Sequence, residues 1–132
     1  FANKYIDAFT IGFDLTARDI QNDLKSKGLP WELAKGFDGS AIIGNFIKIN
    51  ENINLSELKF SILKNDVTVQ KGNAADMIFS FERVISFVSQ YFTLQQGDLI
   101  FTGTPKGVGA LAIGDVLNGY YDGEKLVSVE IK

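Results

Sequence analysis

Three polar residues near the start of the chain are spaced so that one small ligand could meet all of them. Asp14 ends a segment typical of a strand, and Arg18 and Gln21 follow in a segment typical of a helix. A strand end and a helix start bring such side chains toward one spot. A carboxylate for a cation, a guanidinium for a substrate carboxylate and an amide together suit a small oxo acid bound with a divalent metal. The spacing leaves an alternative open, in which Asp14 caps the helix and pairs with Arg18 one turn on.

Two further segments carry groups that could do chemistry. Lys35 follows Trp31, and from its neighbours alone a surface position is the simpler interpretation. The sequence GTPKGVG at 103–109 is rich in glycine. Such a run predicts either an ordinary tight turn or a loop whose backbone N–H groups hold a carboxylate.

Residues 107–112 also match the dinucleotide-binding pattern G-x-G-x-x-G/A after a predicted strand, but they lack its context. That pattern must open a helix whose N-terminus receives the pyrophosphate. Here Gly114 and Asp115 predict a turn almost directly afterwards. A Walker loop is excluded as well, because no Gly-Lys-Ser/Thr closes the run. We therefore predict no nucleotide site.

The elements that must position these residues are short strands and two helices. Stretches rich in β-branched and aromatic residues predict strands over 5–14, 46–49, 58–63, 67–69, 99–102, 116–121 and 126–131. Asn65-Asp66 predicts a hairpin turn. Helical spacing of apolar residues predicts helices over 16–27 and 81–92. Gly28 and Pro30 predict the end of the first helix, and Ser80 predicts the cap of the second. Strands outnumber helices, which favours a mainly β fold with α, a roll or sandwich with two main helices, over a doubly wound sheet.

The composition predicts one domain, residues 1–132, that can bury a core. The chain is 45% hydrophobic, with 13 Lys and Arg against 16 Asp and Glu and a net charge of −3. Scattered basic residues in an acidic chain do not form the positive patch that nucleic-acid binding requires. No apolar run has the length that crosses a bilayer, and Phe1-Ala2-Asn3-Lys4 does not open a signal peptide. We expect neither nucleic acid nor membrane as a partner, and a cytoplasmic location.

The chain contains no His and no Cys. Their absence excludes Ser-His-Asp triads, thiolate nucleophiles, disulfides and every metal site built on imidazole or thiolate. Any metal held by this chain must therefore be held by oxygen.

Four motifs, in order and at matching spacing, resemble the fumarylacetoacetate hydrolase family, in its branch of acylpyruvases and oxaloacetate decarboxylases. They are FDLTARDIQ at 13–21, KGLPWELAKGFDGS at 27–40, DMIFS at 76–80 and GDLIFTGTPKGVG at 97–109. The resemblance implies a mixed β-sandwich roll and a homodimer that binds Mg²⁺ or Mn²⁺. It also implies cleavage or rearrangement of carbon–carbon bonds in β-dicarbonyl and 2-oxo acids through a metal-bound enolate.

The resemblance further implies a role for each candidate residue. Asp14 resembles a metal ligand of the family, and Arg18 and Gln21 resemble groups that orient the substrate. Lys35 resembles the catalytic cation beside the metal and the developing enolate, and Thr104 the hydroxyl that binds the substrate carboxylate. Two cationic centres near an enolate oxygen would stabilise the charge that develops there.

One departure from the family concerns acidic residues upstream of the matched motifs. There the family has a Glu-x-Glu pair of metal ligands, and its hydrolases have a His-Glu acid–base pair, whereas the first Glu here is Glu32. We therefore expect an N-terminally truncated chain with a half-built metal site, inactive or nearly so alone.

For the parent protein we expect activity on an acylpyruvate, oxaloacetate or fumarylacetoacetate type of acid. One alternative is isomerisation or decarboxylation of a homoprotocatechuate-pathway dioate by the same chemistry. The other is a non-catalytic dimerising fragment or paralogue.

Overall fold

The computed structural model describes residues 2–132, which form a mixed α+β fold. The strands are Ala8–Phe9 (β1), Gly12–Asp14 (β2), Ala41–Ile43 (β3), Ile47–Lys48 (β4), Lys59–Lys64 (β5), Val67–Asn73 (β6), Val116–Tyr121 (β7) and Glu124–Glu130 (β8). The helices are Arg18–Ser26 (α1), Glu32–Lys35 (α2) and Phe81–Val88 (α3), with 3₁₀ turns at Ala2–Tyr5, Leu55–Glu57 and Ala74–Asp76. The predicted class, mainly β with α1 and α3 as main helices, is confirmed.

The chain divides into two compact units. The smaller unit is Gly12–Ile43, and the larger contains the described residues up to Ile11 together with Gly44–Lys132. Whether residues 1–132 behave as a single domain stays a prediction.

An antiparallel sheet of four strands, in the order β6-β5-β7-β8, organises the larger unit. The buried apolar side chains of the larger unit are Ile11, Ile62, Leu117, Leu126 and Val127. The hairpin between β5 and β6 turns at Asn65 and Asp66, whose φ angles are 49° and 63°. Two successive residues with positive φ define a type I′ turn, whose twist matches the flanking strands, so the predicted hairpin is confirmed.

Strands β2 and β3 form an antiparallel pair in the smaller unit, with Asp14 opposite Ala41. Side chains along β2 alternate, so that Phe13 is buried while Asp14 is exposed. Helix α1 ends at Ser26, and Gly28 lies just past its C-cap Lys27, with a φ of +66° and an N–H that donates to the carbonyl of Lys25 at 3.1 Å. The next N–H, of Leu29, donates to the carbonyl of Leu24 at 2.9 Å, which completes a Schellman motif.

The predicted strand over 5–14 is wrong as one element. Its first half, β1, pairs with β4, and its second half, β2, pairs with β3. The predicted strand over 99–102 forms no strand in the described part of the chain. The glycines that flank it, Gly97 and Gly103, both have positive φ, and none of its residues pairs with a strand of the described sheets.

Helix α3 begins as predicted but is shorter than predicted. Ser80 caps it, because its hydroxyl oxygen accepts a hydrogen bond from the N–H of Arg83 at 3.3 Å. The helix ends at Val88 rather than Phe92, and the N–H groups of Tyr91 and Phe92 both converge on the carbonyl of Val88. Within residues 2–132, no helix is both long and apolar enough to cross a membrane.

Candidate functional site

The smaller unit brings together a carboxylate, an ammonium group and a hydroxyl. The Nζ of Lys35 lies 2.6 Å from Oδ1 of Asp14 and donates to Oγ1 of Thr16 at 2.8 Å. The side chains of Lys35 and Asp14 are 32% and 39% exposed, so a ligand from solvent can reach both. Lys35 is therefore not an isolated surface lysine. We call Asp14, Thr16 and Lys35 the lysine cluster.

Two backbone hydrogen bonds hold the segment between β2 and α1 in place. The N–H of Leu15 donates to the carbonyl of Ser40 at 2.8 Å, and that of Ala17 donates to the carbonyl of Ala34 at 3.0 Å. Ala34 is fully buried and directly precedes Lys35 at the end of α2. These contacts fix the end of α2 against the loop that carries Thr16, and so place the lysine beside Asp14.

The structure excludes the alternative interpretation, in which Asp14 caps α1 and pairs with Arg18. The N-cap of α1 is Ala17, which provides no side-chain cap, and Asp14 pairs with Lys35 instead. The Nη1 of Arg18 donates to Oε1 of Gln21 at 2.6 Å, one turn along the exposed face of α1. Among the described residues Arg18 forms no ion pair, so its remaining donors are available to an anionic ligand.

Thr104 lies in the larger unit, on a loop that is fastened to the edge strand β6. The side-chain amide of Gln70 donates to the carbonyl of Pro105 at 3.0 Å. Gly107 has a φ of +106°, and a Cβ there would collide with the carbonyl oxygen of Val69. Thr104 itself is exposed, and its hydroxyl has no hydrogen-bond partner in the part of the chain described. No helix opens after Gly107 in the described chain.

A second network closes the far end of the same loop. Asp115 accepts a hydrogen bond from Nδ2 of Asn65 at 2.7 Å and another from the N–H of Ala112 at 2.8 Å. The Nζ of Lys64 lies 3.4 Å from the same carboxylate. The N–H of Ala112 above all, then Asn65 and Lys64, stabilise the charged form and lower the pKa of Asp115 below its usual value of 3.8. We call these four residues the aspartate network.

Asp14 can supply a single ligand to a hard metal ion. Its Oδ1 is bound by Lys35, whereas no described residue donates to its Oδ2. Carboxylate oxygens are the ligands that Mg²⁺ and Mn²⁺ prefer. Residues 2–132 contain no group of three acidic side chains that could complete a metal site.

Thr16 is the residue of this site that the sequence interpretation missed. It lies two residues after Asp14 and two before Arg18, so an extended chain would place it on the same side as Asp14. That periodicity was an available signal, because a hydroxyl is the only other polar group in the segment between the strand and the helix.

Known proteins match this chain over nearly its whole length. The family model for the C-terminal region of fumarylacetoacetate (FAA) hydrolase covers residues 1–131. The rat protein (Rattus norvegicus) named oxaloacetate tautomerase FAHD1, mitochondrial, is 40% identical over 131 residues, which are 99% of this chain and 58% of the rat protein.

Two solved structures add to this comparison. Fumarylpyruvate hydrolase from Pseudomonas aeruginosa, in complex with Mn²⁺ and pyruvate, matches with a TM-score of 0.91 and 34% identity over 98% of this chain and 56% of that one. The 5-carboxymethyl-2-hydroxymuconate delta-isomerase from Mycobacterium smegmatis matches with a TM-score of 0.84 and 28% identity over 98% of this chain and 49% of that one. The chain thus spans about half the length of these relatives. Because the rat protein is named as mitochondrial, a cytoplasmic location stays a prediction.

Proposed function

This chain belongs to the fumarylacetoacetate hydrolase family, and from that premise we propose that it is the C-terminal catalytic part of a metal-dependent enzyme. The proposed substrate is a β-dicarbonyl or 2-oxo acid of the acylpyruvate, oxaloacetate or fumarylacetoacetate type. The observation that carries the proposal is the Lys35 ammonium group, held between the carboxylate of Asp14 and the hydroxyl of Thr16.

Lys35 has the donor that such a reaction needs. Its ammonium group carries three hydrogens, of which two are directed to Asp14 and Thr16. The third remains for an oxygen atom on which negative charge grows. Because the group is already fixed by two contacts, it stabilises that charge without first having to reorganise.

The same donor serves each reaction in this class. In the hydrolysis of an acylpyruvate, water adds to the acyl carbonyl and the bond to the methylene carbon breaks. The electron pair of that bond stays on pyruvate as its enolate, which then takes up a proton. In the tautomerisation of oxaloacetate a proton moves between carbon and oxygen through a similar enolate. Lys35 favours both reactions by donating to the enolate oxygen.

Arg18 and Gln21 fit the binding of the substrate carboxylate. The guanidinium of Arg18 keeps free donors beyond the one directed to Gln21, and a guanidinium binds a carboxylate through two parallel hydrogen bonds. Gln21 uses its oxygen for Arg18, so its amide nitrogen is free to donate to the ligand. On the family resemblance alone, we also propose Thr104 as a hydroxyl that binds a substrate carboxylate.

Asp14 is the residue we propose as a metal ligand, through its Oδ2. A bound Mn²⁺ or Mg²⁺ supplies a Lewis acid for the oxygens of a 2-oxo acid. The complex of the Pseudomonas relative with Mn²⁺ supports this proposal. With one protein carboxylate a site holds such an ion weakly, and we therefore propose that the 132-residue chain alone has little or no activity.

A second candidate function is the isomerisation or decarboxylation of a homoprotocatechuate-pathway dioate. The Mycobacterium relative named as a delta-isomerase supports it, and an isomerisation next to a carbonyl needs the same stabilised enolate. The observed products separate the two functions, because isomerisation leaves the carbon skeleton intact.

Turnover by the natural protein that contains this chain tests the proposal. The protein is dialysed against a chelator and assayed with oxaloacetate, acetylpyruvate, fumarylpyruvate and 5-carboxymethyl-2-hydroxymuconate, with and without Mn²⁺ or Mg²⁺. We expect metal-dependent turnover of at least one acid, and little or none by the isolated chain. If the natural protein turned over none of them with either metal, the chain would be a non-catalytic member of its family.

We also propose that the protein is a homodimer. Helix α3 and the turn after it expose large apolar side chains, with Phe87 60%, Tyr91 69% and Phe92 67% exposed. A second copy would cover such a patch. Light scattering is expected to give twice the mass of the monomer, and the mass of a monomer for the natural protein would contradict the proposal.

A further inference from the structure

Thr16 closes a ring of hydrogen bonds within the lysine cluster. Its Oγ1 accepts from Nζ of Lys35 at 2.8 Å and lies 3.3 Å from the backbone carbonyl oxygen of Asp14, to which it donates. The side chain of Asp14 in turn binds the same Nζ at 2.6 Å. The ammonium group is thus held at two points that originate within three consecutive residues.

The direction of each bond in this ring is determined by chemistry. An ammonium group can only donate, so the hydroxyl of Thr16 must accept from it. A carbonyl can only accept, so the hydroxyl proton must be directed to the carbonyl oxygen of Asp14. Thr16 therefore presents a lone pair to Lys35 and cannot turn its proton toward the lysine.

The backbone around Thr16 is fixed on both sides. The N–H groups of Leu15 and Ala17 donate to the carbonyls of Ser40 and Ala34 at 2.8 and 3.0 Å. Threonine also has a branched Cβ, which restricts its first side-chain torsion. Thr16 is thus a rigid anchor, whereas Lys35 has a long side chain with several rotatable bonds that a single contact would not immobilise.

We propose that Thr16 is a positioning residue, which orients the free N–H of Lys35 toward the reacting oxygen. The proposal rests on the proposed function, because it assigns to Thr16 a role in the action of Lys35. Thr16 acts through the lysine without contacting the substrate. Its loss leaves the ion pair with Asp14 but removes the second anchor, and a displacement of about 1 Å in a catalytic group can cost up to about 100-fold in rate.

Substitution of the hydroxyl in the natural protein tests this role. Thr16→Val has nearly the same shape without the hydroxyl, and Thr16→Ser keeps the hydroxyl. We expect kcat to fall at least about tenfold in Thr16→Val, with KM changed less than about twofold, and to remain within about threefold of the wild type in Thr16→Ser. The matched control is Thr68→Val, at an exposed position of β6, which should change neither constant.

A second measurement does not depend on turnover. Relaxation of the ¹⁵N resonance of the Lys35 ammonium group measures how fast that group rotates. We expect slow rotation in the wild type and in Thr16→Ser, and faster rotation in Thr16→Val. If Thr16→Val unfolds at a lower temperature than the control, Thr16→Ala is assayed by the same two measurements.

Two results would overturn the proposal. One is an unchanged kcat and an unchanged ammonium resonance in Thr16→Val. The other is an equal loss of kcat in Thr16→Ser and Thr16→Val, which would assign the effect to packing of the methyl group. Absence of turnover in the wild type would instead refute the proposed function, and the ammonium resonance would still decide whether Thr16 orients Lys35.

Discussion

Two carboxylates, one in each unit of the chain, show how differently an aspartate can be used. Asp115 in the larger unit accepts from Asn65 and from the N–H of Ala112, with Lys64 nearby, so both of its oxygens are occupied. Asp14 in the smaller unit uses one oxygen for Lys35 and leaves the other without a partner among residues 2–132.

This difference separates a structural aspartate from one that is available to a ligand. The partners of Asp115 are a backbone N–H and the side chain of a hairpin residue, which come from parts of the fold that cannot leave without unfolding. The partner of Asp14 is the ammonium group of Lys35, which keeps a third N–H for a ligand. We infer that the aspartate network stabilises the larger unit and that the lysine cluster serves chemistry.

The largest effect is expected when Asp14 and Asp115 are each replaced by asparagine in the natural protein. Asp14→Asn should lower kcat/KM at least about 100-fold, because it weakens the proposed metal ligand and releases Lys35. It should change the free energy of unfolding by less than about 1 kcal/mol, since the pair is about one third exposed. Steady-state kinetics and urea unfolding measure the two quantities.

Asp115→Asn should show the reverse pattern. An amide can accept at one atom only, so either Asn65 or Ala112 loses its acceptor. We expect a lower melting temperature with kcat/KM close to that of the wild type at 25 °C. If both variants lost activity equally while remaining folded, the division between the two aspartates would be wrong.

A smaller effect is expected for the loop of Thr104, which connects the aspartate network to a proposed substrate contact. Gln70→Met keeps the length of the side chain but removes the donor to the carbonyl of Pro105. Because the loop then holds Thr104 less firmly, KM should rise about three- to tenfold with little change in kcat. Gln96→Met, at an exposed position between α3 and β7, is the control. If Gln70→Met kept the KM of the wild type, the proposal that Thr104 binds the substrate would be wrong.

The smallest effect concerns pH. The folded state lowers the pKa of Asp115 from 3.8 because the N–H of Ala112, Asn65 and Lys64 favour its charged form. A carboxylate with a lowered pKa contributes stability that is fully present above the pKa of the unfolded state and is lost as the pH falls through the lower folded value. The difference in unfolding free energy between the wild type and Asp115→Asn should therefore be constant from about pH 5 to 7 and shrink below pH 3.8. A difference independent of pH down to 3 would contradict the assigned interactions.

Local signals in the sequence were sufficient where the structure is determined locally. Asn65-Asp66 predicts the turn between β5 and β6 because both residue types tolerate positive φ, and Ser80 predicts the start of α3. Gly28 and Pro30 predict the end of α1 for the same kind of reason. Strand pairing is not local, which is why the split of residues 5–14 into β1 and β2 could not be read from their composition.

The candidate site depended on contacts that spacing could not reveal. Spacing favours a pair between Asp14 and Arg18, four positions apart, whereas the structure pairs Asp14 with Lys35 across the fold. That contact requires the end of α2 to be held against the loop before α1, through the bond from Ala17 to the carbonyl of Ala34. The family resemblance points to Lys35 as a catalytic residue, whereas residue spacing does not. Neither the spacing nor the resemblance points to Thr16.

The most direct test of the central claim is the turnover of the natural protein after Lys35→Met. Methionine keeps an unbranched apolar side chain of similar length and removes only the charge and its donors. With Mn²⁺ and the best substrate of the wild type, we expect kcat to fall about 100- to 1,000-fold, while Lys125→Met, at an exposed position of β8, keeps the wild-type value. A folded Lys35→Met variant with wild-type kcat would contradict the assignment of the lysine cluster as the reactive centre.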